Sequence, residues 1–374
     1  MFVSASAAQP EPVRDDLARV IEAAAAPCDA DNTFPRAALD ILVARGLTTP
    51  EAMVPDLGCG EMARLLGLLA EVGQGDASVG RLLEGHANAL ELIGRTAPQP
   101  LRKCVFAAVR SGAILGVWGA DPVEDRLRVS RQSDELRLSG AKLFCSGADG
   151  LDAAVALADG PDDGRTLLLV PIDGRLDIDR SAWRPLGMRA SGSHKVAFDG
   201  VTLAAAQAVV CSGAAYLADP WFIGGAMRFA AVQSGVARGL AEVAAAHLVR
   251  QERSSAPHQA ARLGEMAVAL AGLDGVLDAA AVAWDAGCAK GASKGAAAHA
   301  AAYGNLARVA AERALLDVAD LVQRAVGLSG LIAPHPLERR LRDALTYVRQ
   351  PNPDGAREAV GRAFAAGLYR VAHP

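Results

Sequence analysis

A chain of 374 residues exceeds what one hydrophobic core usually organises, so two or three packed subdomains are expected. Half of it is hydrophobic (51%) but only 4% is aromatic, which leaves Ala, Leu and Val to build close-packed helices. The net charge of −4 with no basic block excludes nucleic acid and anionic membrane surfaces as partners, and no apolar run is read as approaching the roughly 20 residues of a membrane span.

Residues 1–110 predict helices broken by glycine and proline. Leu65, Leu66, Leu68, Leu69 and Val72 form one broad apolar stripe, and Pro50, Pro55, Pro98 and Pro100 punctuate the pattern. The period changes over residues 111–210. Residues 113–118, 153–158 and 166–170 read as short buried strands, residues 136–144 alternate, and Asp159-Gly160, Asp173-Gly174 and Asp199-Gly200 mark turns. Helical spacing returns over residues 211–374: Val232, Val236, Leu240 and Val243; then Leu263, Met266, Leu270, Leu273 and Leu277; then Leu315, Val318, Leu321 and Val322. Helices, strands, then helices without βαβ alternation argue against a Rossmann domain. The expected class is α+β and mostly α: an N-terminal α-helical domain (1–110), a middle β domain (111–210) and a C-terminal helical bundle (211–374).

Cys28, Cys59, Cys104, Cys145, Cys211 and Cys288 are scattered and form no C-x-x-C pair. Neither a disulfide framework nor a metal site is expected, and a reducing, cytoplasmic setting is. Residues 1–10 lack the basic and apolar regions of a signal peptide. There is no Walker A loop or H-E-x-x-H motif, and Gly327-Leu328-Ser329-Gly330-Leu331 fails G-x-S-x-G at its last position.

Several stretches carry candidate chemistry. Gly73-Gln74-Gly75-Asp76 has no third glycine at dinucleotide spacing and no strand before it. By itself it reads as a helix break with Asp76 as N-cap, and His86 beyond it as a core or surface histidine. Trp118-Gly119-Ala120-Asp121-Pro122 is an acidic turn after a strand. Leu138-Ser139-Gly140-Ala141-Lys142-Leu143-Phe144-Cys145-Ser146-Gly147-Ala148 reads locally as a β-hairpin with an ordinary buried Phe144. Near the end comes Pro336-Leu337-Glu338-Arg339-Arg340-Leu341-Arg342-Asp343, where Glu338, Arg342 and Asp343 suit ion pairs on a helix.

In this order the stretches resemble the acyl-CoA dehydrogenase superfamily, the last through its P-x-E-R-x-x-R-D pattern. The likeness runs along nearly the whole chain. It implies an N-terminal helical domain, a middle β domain, a C-terminal four-helix bundle, and a flavin held between the subunits of a homodimer or homotetramer. Ser146 takes the place of a hydroxyl that bonds flavin N5, and Phe144 that of an aromatic ring lying against the isoalloxazine, with Cys145 between them. The form Phe144-Cys145-Ser146-Gly147-Ala148 looks more like the superfamily's flavin monooxygenase branch. A fixed acceptor for the N5 proton stabilises reduced flavin. Ala120 and Asp121 sit where a Thr-Glu-Pro-like turn packs on the flavin. Arg253 is the candidate for an arginine that pairs with the FAD pyrophosphate across a subunit interface. Gln323 and Gly327 stand in an element similar to Q-x-x-G-G, which lines the adenosine diphosphate half; its first glycine is Val326 here. FAD is the cofactor implied, with FMN as the alternative.

The chain also departs from that pattern. The dehydrogenases' Gly-x-Gly-Ser loop is replaced by Val123-Glu124-Asp125-Arg126, which weighs against a CoA thioester site. Their α-proton base falls on or beside Pro351, and no Glu occurs between Glu338 and Glu358. An alternative base position just before Arg228 holds Gly225 and Met227. Three functions stay open. A flavin monooxygenase-like enzyme would draw reduced flavin from a partner reductase and use Ser146 at N5 and His86 as acid or base. An acyl-CoA dehydrogenase with a displaced base would use Asp354 or Asp219 on an acyl-CoA. A non-catalytic relative would bind or assemble only. The reading carried forward is an oxidoreductase using flavin on a small-molecule substrate, leaning to the monooxygenase.

Overall fold

The computed structural model of the protein describes residues 17–55, 61–160, 164–349 and 352–369. Residues 1–10, Cys59 and Pro351, which the sequence reading used, lie outside the described residues. The first helices are α1 (Leu17–Asp31), α2 (Arg36–Ala44), α3 (Pro50–Met53), α4 (Glu61–Gly75), α5 (Ala77–Thr96) and α6 (Gln99–Arg110). Asp76 separates α4 from α5 and caps the latter, its carboxylate accepting from the Val79 N–H at 3.0 Å. The stripe Leu65, Leu66, Leu69 and Val72 is buried.

The strands are β1 (Leu115–Trp118), β2 (Arg128–Gln132), β3 (Glu135–Ser139), β4 (Ala141–Cys145), β5 (Ala153–Asp159), β6 (Arg165–Pro171), β7 (Asp177–Asp179), β8 (His194–Ala197), β9 (Thr202–Ala204) and β10 (Val209–Ser212). One sheet runs β10-β6-β5-β2-β3-β9, with β1 parallel to β5; the other is β4-β8-β7. Leu136 and Leu138 alternate with exposed neighbours on β3, so one face of that strand enters a core shared with Trp118, Val170 and Phe198.

Two short helices, α7 (Ala205–Ala208) and α8 (Gly213–Tyr216), lead to α9 (Trp221–Arg250), α10 (Pro257–Cys288), α11 (Lys294–Val326), α12 (Pro336–Tyr347) and α13 (Pro353–Ala365). The architecture is α+β and mostly helical, as expected. The N-terminal helices share one core with the bundle: Leu65, Leu69, Val232, Val236, Leu315 and Val322 belong to the same apolar cluster. Where α4 crosses α9 the main chains touch. A Cβ on Gly235 would stand 1.8 Å from the Ala70 carbonyl oxygen, and one on Gly73 2.4 Å from that of Val232, so only glycine fits.

One expectation is corrected. α10 is long and apolar enough, by length and composition, to cross a membrane: its most apolar window has mean hydropathy 1.7 and is 33% buried. It packs along α9, α11 and α4 while leaving Val268 and Val282 exposed.

Candidate functional site

The register of β4 against β8 shifts between Lys142 and Cys145. The irregularity holds Phe144 at φ +53°, a left-handed conformation that costs a non-glycine residue on the order of 1 kcal/mol or more. It also turns the ring outward. Phe144 is 59% exposed while Cys145 and Ser146 beside it are buried, so the expectation of an ordinary buried Phe is corrected. Bulges re-aim side chains in this way beside functional sites. Trp183 meets Phe144 edge-on at 6.4 Å, and Ala120 lies alongside, its carbonyl accepting from the Leu143 N–H at 2.9 Å.

Behind this ring runs a chain of three buried serine hydroxyls. Ser191 Oγ donates to the Met188 carbonyl at 2.8 Å and lies 2.8 Å from Ser193 Oγ, which lies 2.9 Å from Ser146 Oγ. A hydroxyl has one proton. That of Ser191 is committed to Met188, so Ser193 must donate to Ser191, and Ser146 to Ser193. Ser146 is left presenting lone pairs to anything in front of it. Trp118 fixes the same residue by donating Nε1–H to its carbonyl at 3.1 Å.

The loop carrying these serines is clamped by α12. Gly187 N–H donates to Thr346 Oγ1 at 2.9 Å, Met188 N–H to Asp343 Oδ1 at 2.6 Å, and Arg342 Nη1 to the Leu186 carbonyl at 3.1 Å. A Cβ on Gly187 would stand 2.2 Å from the Arg342 main chain. Arg342 pairs with Glu338 at 2.5 Å and Asp29 at 2.8 Å. The ion-pair reading of this motif therefore holds, and its further job is to brace the serine loop. Asp149, three residues after Ser146, binds His194 Nε2 and Arg180 Nε, the latter at 2.6 Å. Burial pushes the Asp149 carboxyl up, but His194 and Arg180 outweigh it and hold the pKa below its ordinary value.

The structure brings Ala120, Phe144, Cys145 and Ser146 together and disperses the rest. The Cys145 side chain joins the β-domain core, where burial pushes its thiol far up; only its backbone is offered to the site. The Asp121 side chain is engaged in ion pairs. Its carboxylate meets Lys142 Nζ at 2.5 Å and Arg165 Nη2 at 2.8 Å, bracing β4 against β6. His86 is fully buried, and both ring nitrogens serve the backbone: Nδ1 accepts from the Leu115 N–H at 2.9 Å and Nε2 donates to the Thr48 carbonyl at 2.8 Å. Burial lowers its pKa to about 4. No nitrogen is free for proton transfer, so the acid–base reading of His86 is corrected to that of a neutral tie between α5 and β1.

Arg253 is exposed in the turn from α9 to α10, Gln323 Nε2 donates to the Ala319 carbonyl at 2.7 Å, and Gly327 ends α11. Gln259 Nε2 donates to the Ala325 carbonyl at 3.1 Å, so these three gather at one end of the bundle. Asp354 is 95% exposed and paired with Arg357 at 3.0 Å, and Asp219 lies exposed just before α9. Neither carboxylate is enclosed in a site within this chain.

Sequence reasoning missed a buried polar chain on α5. Glu84 pairs with Arg81, Asn88 Nδ2 donates to Glu84 Oε2 at 2.6 Å, and Arg228 Nη1 donates to Asn88 Oδ1 at 2.8 Å. Arg228 Nη2 lies 3.8 Å from Glu91, which accepts from Arg95 Nε at 3.3 Å. Burial raises the Glu84 carboxyl against the pull of Arg81 and Arg228. The signal was present: positions 81, 84, 88, 91 and 95 repeat at three- and four-residue spacing on one helix.

No family model matches the chain. The amino sugar nitrososynthase RubN8 of Streptomyces rubradiris is 30% identical over an alignment 256 positions long that covers 63% of this chain and 60% of that protein's length. Among solved structures, FMN-bound TdsC from Paenibacillus sp. A11-2 matches with a TM-score of 0.83 at 20% identity, covering 94% of this chain and 96% of that one. Methanesulfinate monooxygenase MsuC from Pseudomonas fluorescens matches at 0.80 and 22%, covering 96% and 98%. KijD3, solved with FMN and dTDP-3-amino-2,3,6-trideoxy-4-keto-3-methyl-D-glucose, matches at 0.80 and 23%, covering 96% and 93%. These neighbours share the acyl-CoA dehydrogenase-like fold, and this chain has it.

Proposed function

We propose that the chain is a flavin-dependent monooxygenase acting on a small molecule, with FMN as cofactor and a separate reductase supplying it reduced. The observation that carries this reading is the outward-turned Phe144 ring beside a Ser146 oxygen that only accepts. The residues present fit a flavin ring: an exposed aromatic face, edge-braced by Trp183, and a hydroxyl with its proton committed inward. Oxidised flavin offers an acceptor at N5, whereas reduced flavin offers an N–H there, so an accepting Ser146 favours the reduced state. When bound, the flavin supplies two-electron reduction and reaction with O2, which no side chain provides. Ser146 holds a proton at N5, Phe144 and Trp183 keep water from one ring face, and the α12 clamp fixes the serine chain. FMN, which two solved neighbours carry, needs none of the groups at the Arg253, Gln323 and Gly327 end of the bundle. The exposure of Asp354 and Asp219 weighs against the acyl-CoA dehydrogenase with a displaced base.

A second copy of the chain suits the exposed apolar residues of the bundle: Val268 (74%) and Val282 (71%) on α10, and Leu328 and Phe364 nearer the end of the chain. The reading is therefore of a homo-oligomer. The test is anaerobic titration of the purified protein with oxidised and reduced FMN and FAD, followed by O2 and then by a panel of acyl-CoAs. Tighter binding of reduced FMN, and flavin that no acyl-CoA bleaches, are expected. Bleaching by an acyl-CoA would return the dehydrogenase, and lack of any flavin binding would leave the non-catalytic relative.

A further inference from the structure

The helical interior contains donors without a hydrogen-bond partner, one of them, Arg228 Nη2, reached only by the Glu91 carboxylate at 3.8 Å. Arg228 is 1% exposed, and its Nε and Nη2 have no hydrogen-bond partner; Trp284 is fully buried, and its Nε1–H has none. The Arg228 guanidinium lies over the Trp284 ring, 6.0 Å from its centre, so the unpaired donors belong to neighbouring side chains. Buried donors are rarely left so, and a charged one is the costliest to strand. The charge count agrees. The chain of hydrogen bonds and ion pairs contains Arg81, Arg95 and Arg228 against Glu84 and Glu91, which leaves one positive charge unmatched within it. The next carboxyl, Asp285, is held by the Met62 backbone N–H at the start of α4, and burial raises its pKa toward the neutral form. Its Oδ1 has no partner either.

Aromatic rings wall the place. Trp221 meets Trp284 edge-on at 5.7 Å, and the Arg95 guanidinium lies 4.8 Å from the Trp221 ring centre. The first turn of α9 packs directly on the Trp284 ring: a Cβ on Gly224 would stand 2.3 Å from it. The place is tied to the Ser146 end by α5. Leu82 packs on Gly147, next to Ser146. Asn88, which bonds Arg228, is six residues further along α5, roughly 9 Å at about 1.5 Å per residue.

We propose that Arg228 and Trp284 form the head-group pocket for the substrate, a small molecule carrying a carboxylate or sulfonate-type oxyanion and extending toward Ser146. Its role as a substrate pocket rests on the monooxygenase reading; its existence as an oxyanion site does not. The test uses tryptophan fluorescence of the full chain without flavin, titrated with benzoate, with benzenesulfonate and with benzyl alcohol as the uncharged control. Saturable quenching by at least one anion is expected, with benzyl alcohol at least tenfold weaker, and the preferred anion distinguishes planar from tetrahedral head groups. Arg228→Gln should abolish it. Trp284→Phe, which keeps an aromatic ring but removes the pyrrole half with its N–H, should weaken binding about tenfold, with Trp221 still reporting. If Arg228→Gln does not fold, Arg228→Lys decides with Trp284→Phe, since an ammonium lacks the guanidinium's fork and should also bind about tenfold more weakly. Absence of saturable quenching by either anion, or unchanged binding in the folded variants, would overturn the pocket and leave the donors to ordered water. Because no flavin is present, this outcome is independent of the FMN titration that tests the function.

Discussion

Replacing His86 with asparagine separates a structural histidine from a catalytic one. The buried ring accepts from Leu115 through Nδ1, so protonating it in the fold breaks that bond and places a charge where no water reaches. Burial sets the folded pKa at about 4, against about 6.5 for the unfolded chain. A histidine depressed in the fold contributes its full stability above the unfolded pKa and loses it as pH falls toward the folded one. With those two values the linkage relation gives a loss of about 2 kcal/mol between pH 8 and pH 5. Asparagine retains an acceptor for Leu115 but does not reach Thr48, and one unpaired carbonyl costs about 1 kcal/mol at pH 8. The assay is urea unfolding of both proteins at pH 8, 7, 6 and 5. The variant should start less stable and end as stable as the parent or more so, because it lacks the titrating ring. Parallel pH profiles would refute the reasoning and return His86 to the list of proton-transfer groups.

Further outcomes follow from the same structure. Ser193→Ala releases the Ser146 proton, and the preference for reduced over oxidised FMN should fall about tenfold, roughly 30 mV in the two-electron potential measured anaerobically. Ser146→Ala should lower flavin-dependent turnover by tenfold or more while lowering the melting temperature by only a few degrees; equal turnover would remove Ser146 from N5. Lys142→Met strips a buried partner from Asp121 and should cost about 3 kcal/mol in urea unfolding, whereas a loss below about 1 kcal/mol would mean Arg165 alone suffices. Val268→Glu with Val282→Glu should reduce the oligomer, read by light scattering; an unchanged mass would place the subunit contact elsewhere.

Much of the fold was legible because its signals are local. The period changes near residues 111 and 211 mark where helices give way to strands and return, and Asp76 reads as a cap from its neighbours alone. The Phe144-Cys145-Ser146 stretch was also found locally. Its geometry was not, because the outward turn of Phe144 depends on a register shift against β8, some fifty residues later. The partners of His86 and Asp121 were not legible for a related reason. Each is a polar residue near a motif, but its partners arrive from distant elements: Thr48 and Leu115 for one, Lys142 and Arg165 for the other. Charges at Glu265, Asp274 and Asp278 hid how apolar α10 is over its length. The stranded donors of Arg228 have no signature in sequence at all, since being unpaired is a property of packing.

The contact of α4 with α9 through Gly73 and Gly235 has a mechanical consequence. Packed helices shear by sliding on an interposed layer of side chains. Here that layer is missing where the main chains touch, so the N-terminal helices and the bundle move as one piece. A route from solvent to Arg228 therefore cannot open by parting α4 from α9.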